Sequence, residues 1–301
     1  MATPKVIVTI APTSNFHGKA ANPALPEQPD EIAQSVHECF NAGAALAHMH
    51  ARDAQGVQTN SATVFRQINR AVRAKCPIII QNSIAPARAP GKHLNTAEQG
   101  LETIEANPEM CSLDMGIGVV CFPNGTEHYI AWTRSFLYRA AKLMEERGIK
   151  PELEIFNNSQ IDDTKLLIEK GLLKPPFSFS FVMGMNRVNQ SAASWRPQTL
   201  MDYVSQLPPN SKFSTLGIGP MQHHATVQSL LLGGGVRVGF EDNINYRRGE
   251  LAKSNAQLVE RIVTVIRDLG FEPATPAEAR EMLGMAALGS AEHIENRLKA
   301  A

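Results

Sequence analysis

Two short apolar runs, AALAHMH at Ala44–His50 and PIIIQNS at Pro77–Ser83, flank the segment Ala62–Ala74. Each run is short enough for a β-strand. Between them, Val64 and Ile68 stand four residues apart, a spacing typical of one face of an α-helix. Strand, helix and strand in this order predict a β/α unit whose two strands lie parallel. The fold class depends on how often this unit recurs.

The same alternation continues on both sides of this unit. The other predicted strands are Val6–Pro12, Met110–Gly116, Glu152–Phe156, Phe177–Met183, Phe213–Ile218 and Val236–Phe240. The other predicted helices are Pro29–Asn41, Asn95–Ala106, His128–Arg147, Asp162–Lys170, Thr199–Gln206, His224–Leu232, Lys253–Leu269 and Thr275–Met285. This alternation predicts a single (β/α)8 TIM-barrel domain over residues 1–301, with a C-terminal helical extension over 275–301. An open doubly wound sheet is disfavoured because no GxGxxG follows the first strand.

Composition narrows the function classes. Lys+Arg and Asp+Glu are both 29, and this balance argues against a nucleic-acid partner, which favours a basic excess. The apolar run near the N-terminus is too short for a signal peptide, and no long uncharged apolar window predicts a membrane span. The 4 cysteines show no CxxC pattern, as expected of thiols in a reducing compartment. We expect a cytoplasmic protein without a nucleic-acid or membrane partner.

A metal site is predicted at the second and eighth strands. Side chains alternate along a strand, so His48 and His50 point to the same face and can converge on one cation. In the eighth strand, Arg237 and Glu241 share the face opposite the apolar residues, and a buried Glu needs a partner. Two histidines and Glu241 leave open positions for a substrate, as a catalytic metal requires. The alternative is a structural salt bridge between Arg237 and Glu241.

Further polar side chains lie near the ends of other predicted strands. They are Ser83, Ser112, Asp114, Glu152 and Glu154. Within each strand they share one parity, and such a set is costly inside a purely structural core but common in a solvated catalytic mouth. The sequence therefore predicts a polar site at the carboxyl ends of the strands, where barrel enzymes carry their chemistry.

The same stretches resemble the β-keto acid cleavage enzyme family over nearly the whole chain. The most specific motifs are AGAALAHMHAR (Ala42–Arg52), PIIIQNS, PELEIF, GGGVRVGFEDNINYRRGELAKSNAQLV (Gly233–Val259) and ATPAEAR. The resemblance implies a (β/α)8 barrel, a homotetramer and zinc bound by His48, His50 and Glu241. It also implies a substrate site lined by Ser83, Ser112, Glu154, Arg237 and Asp242, with Ser112 standing where the family has a threonine.

The activity that the resemblance implies is an exchange between a β-keto acid and acetyl-CoA, which releases acetoacetate and a new acyl-CoA in a retro-Claisen step. We expect Arg237, Asp242 and Ser83 to form the catalytic relay, with the pKa of Asp242 lowered by the adjacent Arg237. Arg247 and Arg248 are hypothetical contacts for CoA. The alternatives are a zinc hydrolase, a CoA-independent C–C lyase and a non-catalytic binding protein. Hydrolysis is disfavoured because the first strand carries no histidine.

One position departs from the family pattern. Where a branch of the family carries a glutamate suited to a substrate ammonium group, this chain has Ser14 in the loop after the first strand. Nearby His17 and Lys19 suit an anionic or polar group instead. We therefore expect Ser14 to lie in the substrate site, and the substrate to be neutral or to carry a second carboxylate.

Overall fold

A computed structural model describes residues 3–88, 96–122, 125–290 and 293. Parallel strands in it form one closed barrel, in which each strand pairs with its sequence neighbours and the last pairs with the first. The barrel strands are β1 (Val8–Ile10), β2 (Leu46–Met49), β3 (Ile79–Asn82), β4 (Met110–Asp114), β5 (Lys150–Ile155), β6 (Phe177–Met183), β7 (Ser211–Gly217) and β8 (Gly235–Val238). The predicted (β/α)8 fold is confirmed.

Helices follow the strands and cover the outside of the barrel. They are α1 (Pro29–Asn41), α2 (Ala62–Lys75), α3 (Ala97–Gly100, extended as a 3₁₀ helix over Leu101–Ala106), α4 (Arg134–Glu146), α5 (Ser159–Glu169), α6 (Pro197–Ser205), α7 (Gln222–Leu231) and α8 (Asn255–Asp268). Apolar side chains of the strands and helices form the surrounding core; Val236, Val238 and Phe240 belong to it, as the parity of the eighth strand predicts. No helix in the described part of the chain is both long and apolar enough to cross a bilayer.

The predicted C-terminal extension begins with α9 (Pro276–Met282), which packs against the amino-terminal end of the barrel. Thr275 caps this helix by accepting a hydrogen bond from the backbone N–H of Glu278. Ala279 and Leu283 pack against Leu46 and Ile79 in one apolar cluster. The remainder of the predicted extension, residues 291–292 and 294–301, lies outside the described residues.

The predicted helix His128–Arg147 is wrong over its first residues. Glu127–Trp132 is a strand that pairs in antiparallel register with Gly116–Cys121, and we call this β-hairpin the β4–α4 hairpin. Its second strand alternates exposed and buried side chains, a two-residue period that the helical interpretation overlooked. The helix α4 begins only after Thr133, whose side chain caps it.

Further short strands lie outside the barrel. Lys5–Val6 pairs with Glu272–Pro273, Ala51–Arg52 pairs with Gln58–Thr59, and Asn245–Arg247 pairs with Glu250–Leu251. The first pair links the segment before β1 to the segment after α8, on the amino-terminal side of the barrel. The other two lie in loops at the carboxyl ends of β2 and β8, on the side of the candidate site.

Candidate functional site

Three side chains that could hold a metal converge at the carboxyl ends of β2 and β8. His48 lies in β2, His50 directly follows it, and Glu241 follows β8. His48 Nε2 lies 3.5 Å from Glu241 Oε2, and His50 Nε2 lies 3.1 Å from Glu241 Oε1. One ligand atom of each residue falls within 4.8 Å of the others. This spacing suits a small divalent cation bound by two imidazoles and a carboxylate.

The protonation of His48 supports this interpretation. His48 Nδ1 lies 2.7 Å from Gln81 Oε1, and because a carbonyl oxygen only accepts, Nδ1 is the protonated nitrogen. The lone pair of Nε2 then faces the carboxylate of Glu241. Two electron-rich atoms point at each other, and Glu241 Oε2 is a buried atom with no hydrogen-bond partner in the described part of the structure. A cation between them would satisfy both.

Arg237 lies beside the metal-ligand set and binds three carboxylates. Its Nε and Nη2 donate to Asp242 Oδ2 and Oδ1, each at 3.0 Å. Its Nη1 lies 3.1 Å from Glu154 Oε1 on β5, across the barrel interior, and its Nη2 lies 2.7 Å from Glu241 Oε1. The predicted salt bridge between Arg237 and Glu241 therefore exists together with the histidine cluster, so the two interpretations of Glu241 do not exclude each other.

Burial and these charges shift the pKa values of the site. Burial, and then the charge of Arg237, lower the pKa of His48 to about 4, which leaves its imidazole neutral as metal ligation requires. Burial raises the pKa of Glu241, but Arg237 and the two histidines outweigh it and hold this carboxyl below its usual range. The expected lowering of the pKa of Asp242 is wrong: burial outweighs Arg237, and Glu241 adds to it, so the value rises to about 7.

A second group, His48 with Glu152 and Glu154, also lies within ligand distance. Burial raises the pKa of Glu152 to about 8, and Glu154 is paired with Arg237. A protonated carboxyl is a poor metal ligand, and this second group offers one imidazole where the first offers two, so the donor set favours His48, His50 and Glu241.

The position of Glu241 depends on a bend that the strand pattern did not predict. β8 ends at Val238, so Glu241 does not continue its alternation. Gly239 has φ +137°, and a Cβ there would lie 2.2 Å from the carbonyl oxygen of Ala11. The backbone then returns, and the N–H of Glu241 donates to that same oxygen. Only glycine permits this turn beside β1, and the turn directs Glu241 toward the histidines.

The structure separates the other predicted site residues into two groups. Ser83, Glu154, Arg237 and Asp242 line one cavity with the metal-ligand set. Ser14 and Ser112 are not among its lining residues. The Ser14 hydroxyl accepts from the backbone N–H groups of Phe16 and His17, and Ser112 is fully buried beside Ser83. Both hydroxyls are therefore used to shape the loops around the cavity.

The predicted relay is only partly joined. Asp242 and Arg237 form two hydrogen bonds. The Ser83 hydroxyl instead accepts hydrogen bonds from the N–H of Ala85 and, at 3.5 Å, from the Ser112 hydroxyl. Lys19 pairs with Glu31 on the surface. Arg247 pairs with Glu250 and is exposed, and neither it nor Arg248 lines the cavity.

Several cavity residues were missed by the sequence reasoning. Phe16, Arg88 and Asn189 line it, together with the inner face of the β4–α4 hairpin. The sequence displays the alternation in EHYIAW, but we predicted a helix over His128–Arg147 there, and packing decides that Ile130 and Trp132 face the cavity.

These residues define a (β/α)8 barrel with a candidate metal centre at the carboxyl ends of its strands. A family model described as beta-keto acid cleavage enzyme matches residues 5–285. The chain belongs to this family, which confirms the resemblance that its motifs indicate.

Curated relatives agree with this membership, and a solved structure shares the fold. The chain is 36% identical over 281 residues to the 3-keto-5-aminohexanoate cleavage enzyme of Fusobacterium nucleatum, covering 93% of this chain and 98% of the relative. It is 30% identical over 296 residues to the 3-dehydrocarnitine:acetyl-CoA trimethylamine transferase of Rhizobium meliloti, covering 93% and 96%. The binary complex of ObcA with oxaloacetate shares the fold with a TM-score of 0.70 at 22% identity, covering 88% of this chain and 68% of that one.

Proposed function

We propose that the protein is a zinc-dependent β-keto acid:acetyl-CoA transferase that cleaves the β-keto acid. The observation that carries the proposal is the convergence of His48, His50 and Glu241 beside the buried Arg237 in one cavity. The relatives support it, since one is named for cleavage of a keto acid and another for transfer to acetyl-CoA. A cytoplasmic location and a homotetramer are part of the same proposal.

The reaction exchanges the two acyl groups. A proton leaves C2 of the β-keto acid, and the resulting enolate carbon attacks the thioester carbon of acetyl-CoA and expels the CoA thiolate. The thiolate adds to the original ketone carbon, the bond between C2 and C3 breaks, and C2 regains a proton. The products are acetoacetate and the new acyl-CoA. When bound, a divalent ion such as zinc would polarise the ketone and stabilise negative charge on its oxygen.

The chain's own groups serve the proton transfer and the orientation. Arg237 is held by Asp242 on one edge and by Glu154 on another, so its position in the cavity is fixed. A fixed cation stabilises developing negative charge without reorganisation, and loss of such a donor typically costs about 2.7–4 kcal/mol. Asp242 lines the cavity together with Glu241 and binds Arg237, and it is our proposed proton acceptor for C2. Ser83 is proposed to orient the substrate.

The proposal is tested by incubating purified protein of measured zinc content with a β-keto acid and acetyl-CoA. We expect acetoacetate and a new acyl-CoA in equal amounts, and no product without acetyl-CoA. Product formation that is independent of acetyl-CoA would favour a lyase or a hydrolase on the same barrel. Protein that binds no zinc and forms no product would leave only a non-catalytic binding role.

His48→Ala provides the residue-level test. We expect it to abolish both zinc binding and product formation, because it removes one of two imidazole ligands. The matched control is His224→Ala, at an exposed histidine of α7 outside the cavity, which should retain both. Zinc bound per chain is measured beside the rate.

A further inference from the structure

The cavity has two chemically different halves. One half holds the charged groups already described, namely Arg237, Asp242, Glu154 and the metal-ligand set. The other half is bounded by the β4–α4 hairpin and by residues at the ends of β5, β6 and β7. Its apolar side chains are Val120, Ile130, Trp132, Phe156, Val182 and Leu216. Each of these is at least nine-tenths buried.

The hairpin turns only one of its faces to this half. Ile130 is 8% exposed and lines the cavity, whereas its neighbour Tyr129 on the opposite face is 73% exposed. Val120 lies on the partner strand and is also buried. The hairpin is thus amphipathic, with its apolar face committed to the cavity and its outer face away from it.

The charges of the lining leave the apolar half without an acidic partner. The described carboxylates of the whole cavity lining are Asp114, Glu154, Glu241 and Asp242. The last three of them pair with Arg237. Asp114 is the register partner of Glu154 on β4, and burial followed by the charge of Glu154 raises its pKa well above the usual value. The three acids paired with Arg237 therefore belong to the charged half. Asp114, whose Oδ2 is buried without a hydrogen-bond partner among the described residues, lies beside Glu154 on β4 and not on the hairpin, so a substrate ammonium group against the hairpin would lose its water without gaining a counter-charge.

We infer that the hairpin face binds the acyl substituent of the β-keto acid, and that this substituent is uncharged and aliphatic. The inference rests on the proposed function. The β-keto carboxylate and ketone lie in the charged half, where Arg237 and the metal-ligand set can bind oxygen atoms. The substituent on the ketone carbon then extends into the apolar half. A methylene buried in such a pocket is worth about 10–200-fold in specificity.

Arg88 defines the main competing outcome. Its guanidinium carbon lies 4.0 Å from the centre of the Phe122 ring at the edge of the cavity, and it is the lining residue besides Arg237 that carries a full positive charge. The described residues give it no carboxylate partner. A substituent ending in a second carboxylate would bind there, and so would a phosphate of CoA.

The first experiment compares three substrates of equal chain length with saturating acetyl-CoA. They are 3-oxohexanoate, which is uncharged at its distal end, 3-oxoadipate, which carries a second carboxylate, and 5-amino-3-oxohexanoate, which carries an ammonium group. We expect kcat/KM for 3-oxohexanoate to exceed both others by about ten-fold or more. Preference for either charged substrate overturns the inference while leaving the proposed function intact. Absence of acetoacetate with all three substrates contradicts the proposed function itself.

The second experiment places a charge on each face of the hairpin. Ile130→Glu should lower kcat/KM for 3-oxohexanoate by about ten-fold or more and move the preference toward the amino substrate, with zinc content unchanged. The control is Tyr129→Glu, which puts the same charge on the outer face and should change kcat/KM less than two-fold. If Ile130→Glu does not fold, Ile130→Ala should still lower kcat/KM for 3-oxohexanoate, because it removes apolar contact.

Two results, one with Ile130→Glu and one with the further variant Arg88→Met, would overturn the inference. In one, Ile130→Glu raises the KM for acetyl-CoA and leaves that for the keto acid unchanged, which assigns the apolar half to the CoA arm. In the other, 3-oxoadipate is preferred and Arg88→Met removes the preference, which assigns the distal group to Arg88. If Arg88→Met instead raises only the KM for acetyl-CoA, Arg88 binds CoA phosphate, and the aliphatic assignment stands with 3-oxohexanoate preferred.

Discussion

The hydrogen bond between His48 and Gln81 decides which ring nitrogen is available at the candidate metal centre. Replacing Gln81 with Leu removes the acceptor for Nδ1–H while keeping a side chain of similar volume in this fully buried position. We expect the affinity for zinc to fall about 10–100-fold, as is typical for loss of such an orienting partner. The measurement is a zinc titration, with Gln34→Leu on the exposed face of α1 as the control. An unchanged affinity would contradict the role assigned to Gln81.

Asp242 separates proton transfer from metal binding. Asp242→Asn preserves the shape of the side chain but removes a basic oxygen and one of the two hydrogen bonds from Arg237. We expect kcat to fall about 10²–10⁴-fold, the usual contribution of general acid–base catalysis. Zinc content should stay at the wild-type level, which distinguishes this variant from His48→Ala. Equal loss of zinc and turnover would assign Asp242 to the metal centre instead.

At the residue scale, the direction of a side chain could be predicted from the sequence where alternation along a strand fixes it. His48 and Arg237 lie within strands, and their buried positions follow from the pleat. Ser14 lies in a loop, where no period constrains direction, and its hydroxyl is taken by local backbone N–H groups. The pKa of Asp242 was misjudged because adjacency to arginine is readable from the chain, whereas the depth of burial is not.

The bend after β8 is the element on which the placement of Glu241 depends. Gly239→Ala introduces a Cβ against the Ala11 carbonyl at a φ of +137°, so we expect a loss of more than about 2 kcal/mol in the free energy of unfolding, with impaired zinc binding. The control is Gly249→Ala, where φ is +78° but no atom lies within 4 Å of the new Cβ. It should cost about 1 kcal/mol and leave zinc binding unchanged. Denaturant unfolding and zinc titration check both variants, and equal losses would refute the steric argument.

Among the secondary-structure elements, the barrel strands could be predicted from the sequence because each buried run is short and flanked by amphipathic helices. Phe177–Met183 was predicted with the bounds that the structure has. The β4–α4 hairpin was not predicted, because Glu127–Trp132 runs directly into the helical pattern of α4 and the two periods merge. The two-residue period of Glu127–Trp132 and its antiparallel pairing with Gly116–Cys121 distinguish the strand from the helix.

For the molecule as a whole, a buried ion pair fastens α9 to the amino-terminal end of the barrel. Arg280 Nε lies 2.7 Å from Glu109 Oε2, and Arg280 Nη2 also donates to the carbonyl oxygen of Pro77 at 3.0 Å. Among the described residues, Arg280→Met leaves Glu109 with only Arg73 as a charged partner, so we expect a cost of about 3–5 kcal/mol in unfolding free energy. The control, Arg267→Met, breaks an exposed pair with Glu272 and should cost less than about 1 kcal/mol. A similar small loss for both would show that α9 contributes little to stability.

The β4–α4 hairpin contributes no strand to the closed barrel: its two strands pair with each other, and Val119 and Cys121 hydrogen-bond to the loop around Asn189 that follows β6. Its sequence can therefore diverge without disturbing the hydrogen bonds that close the cylinder. Exchange of this one segment between homologues offers a compact route to new acyl-chain selectivity, since the reactive end of the pocket would be inherited unaltered.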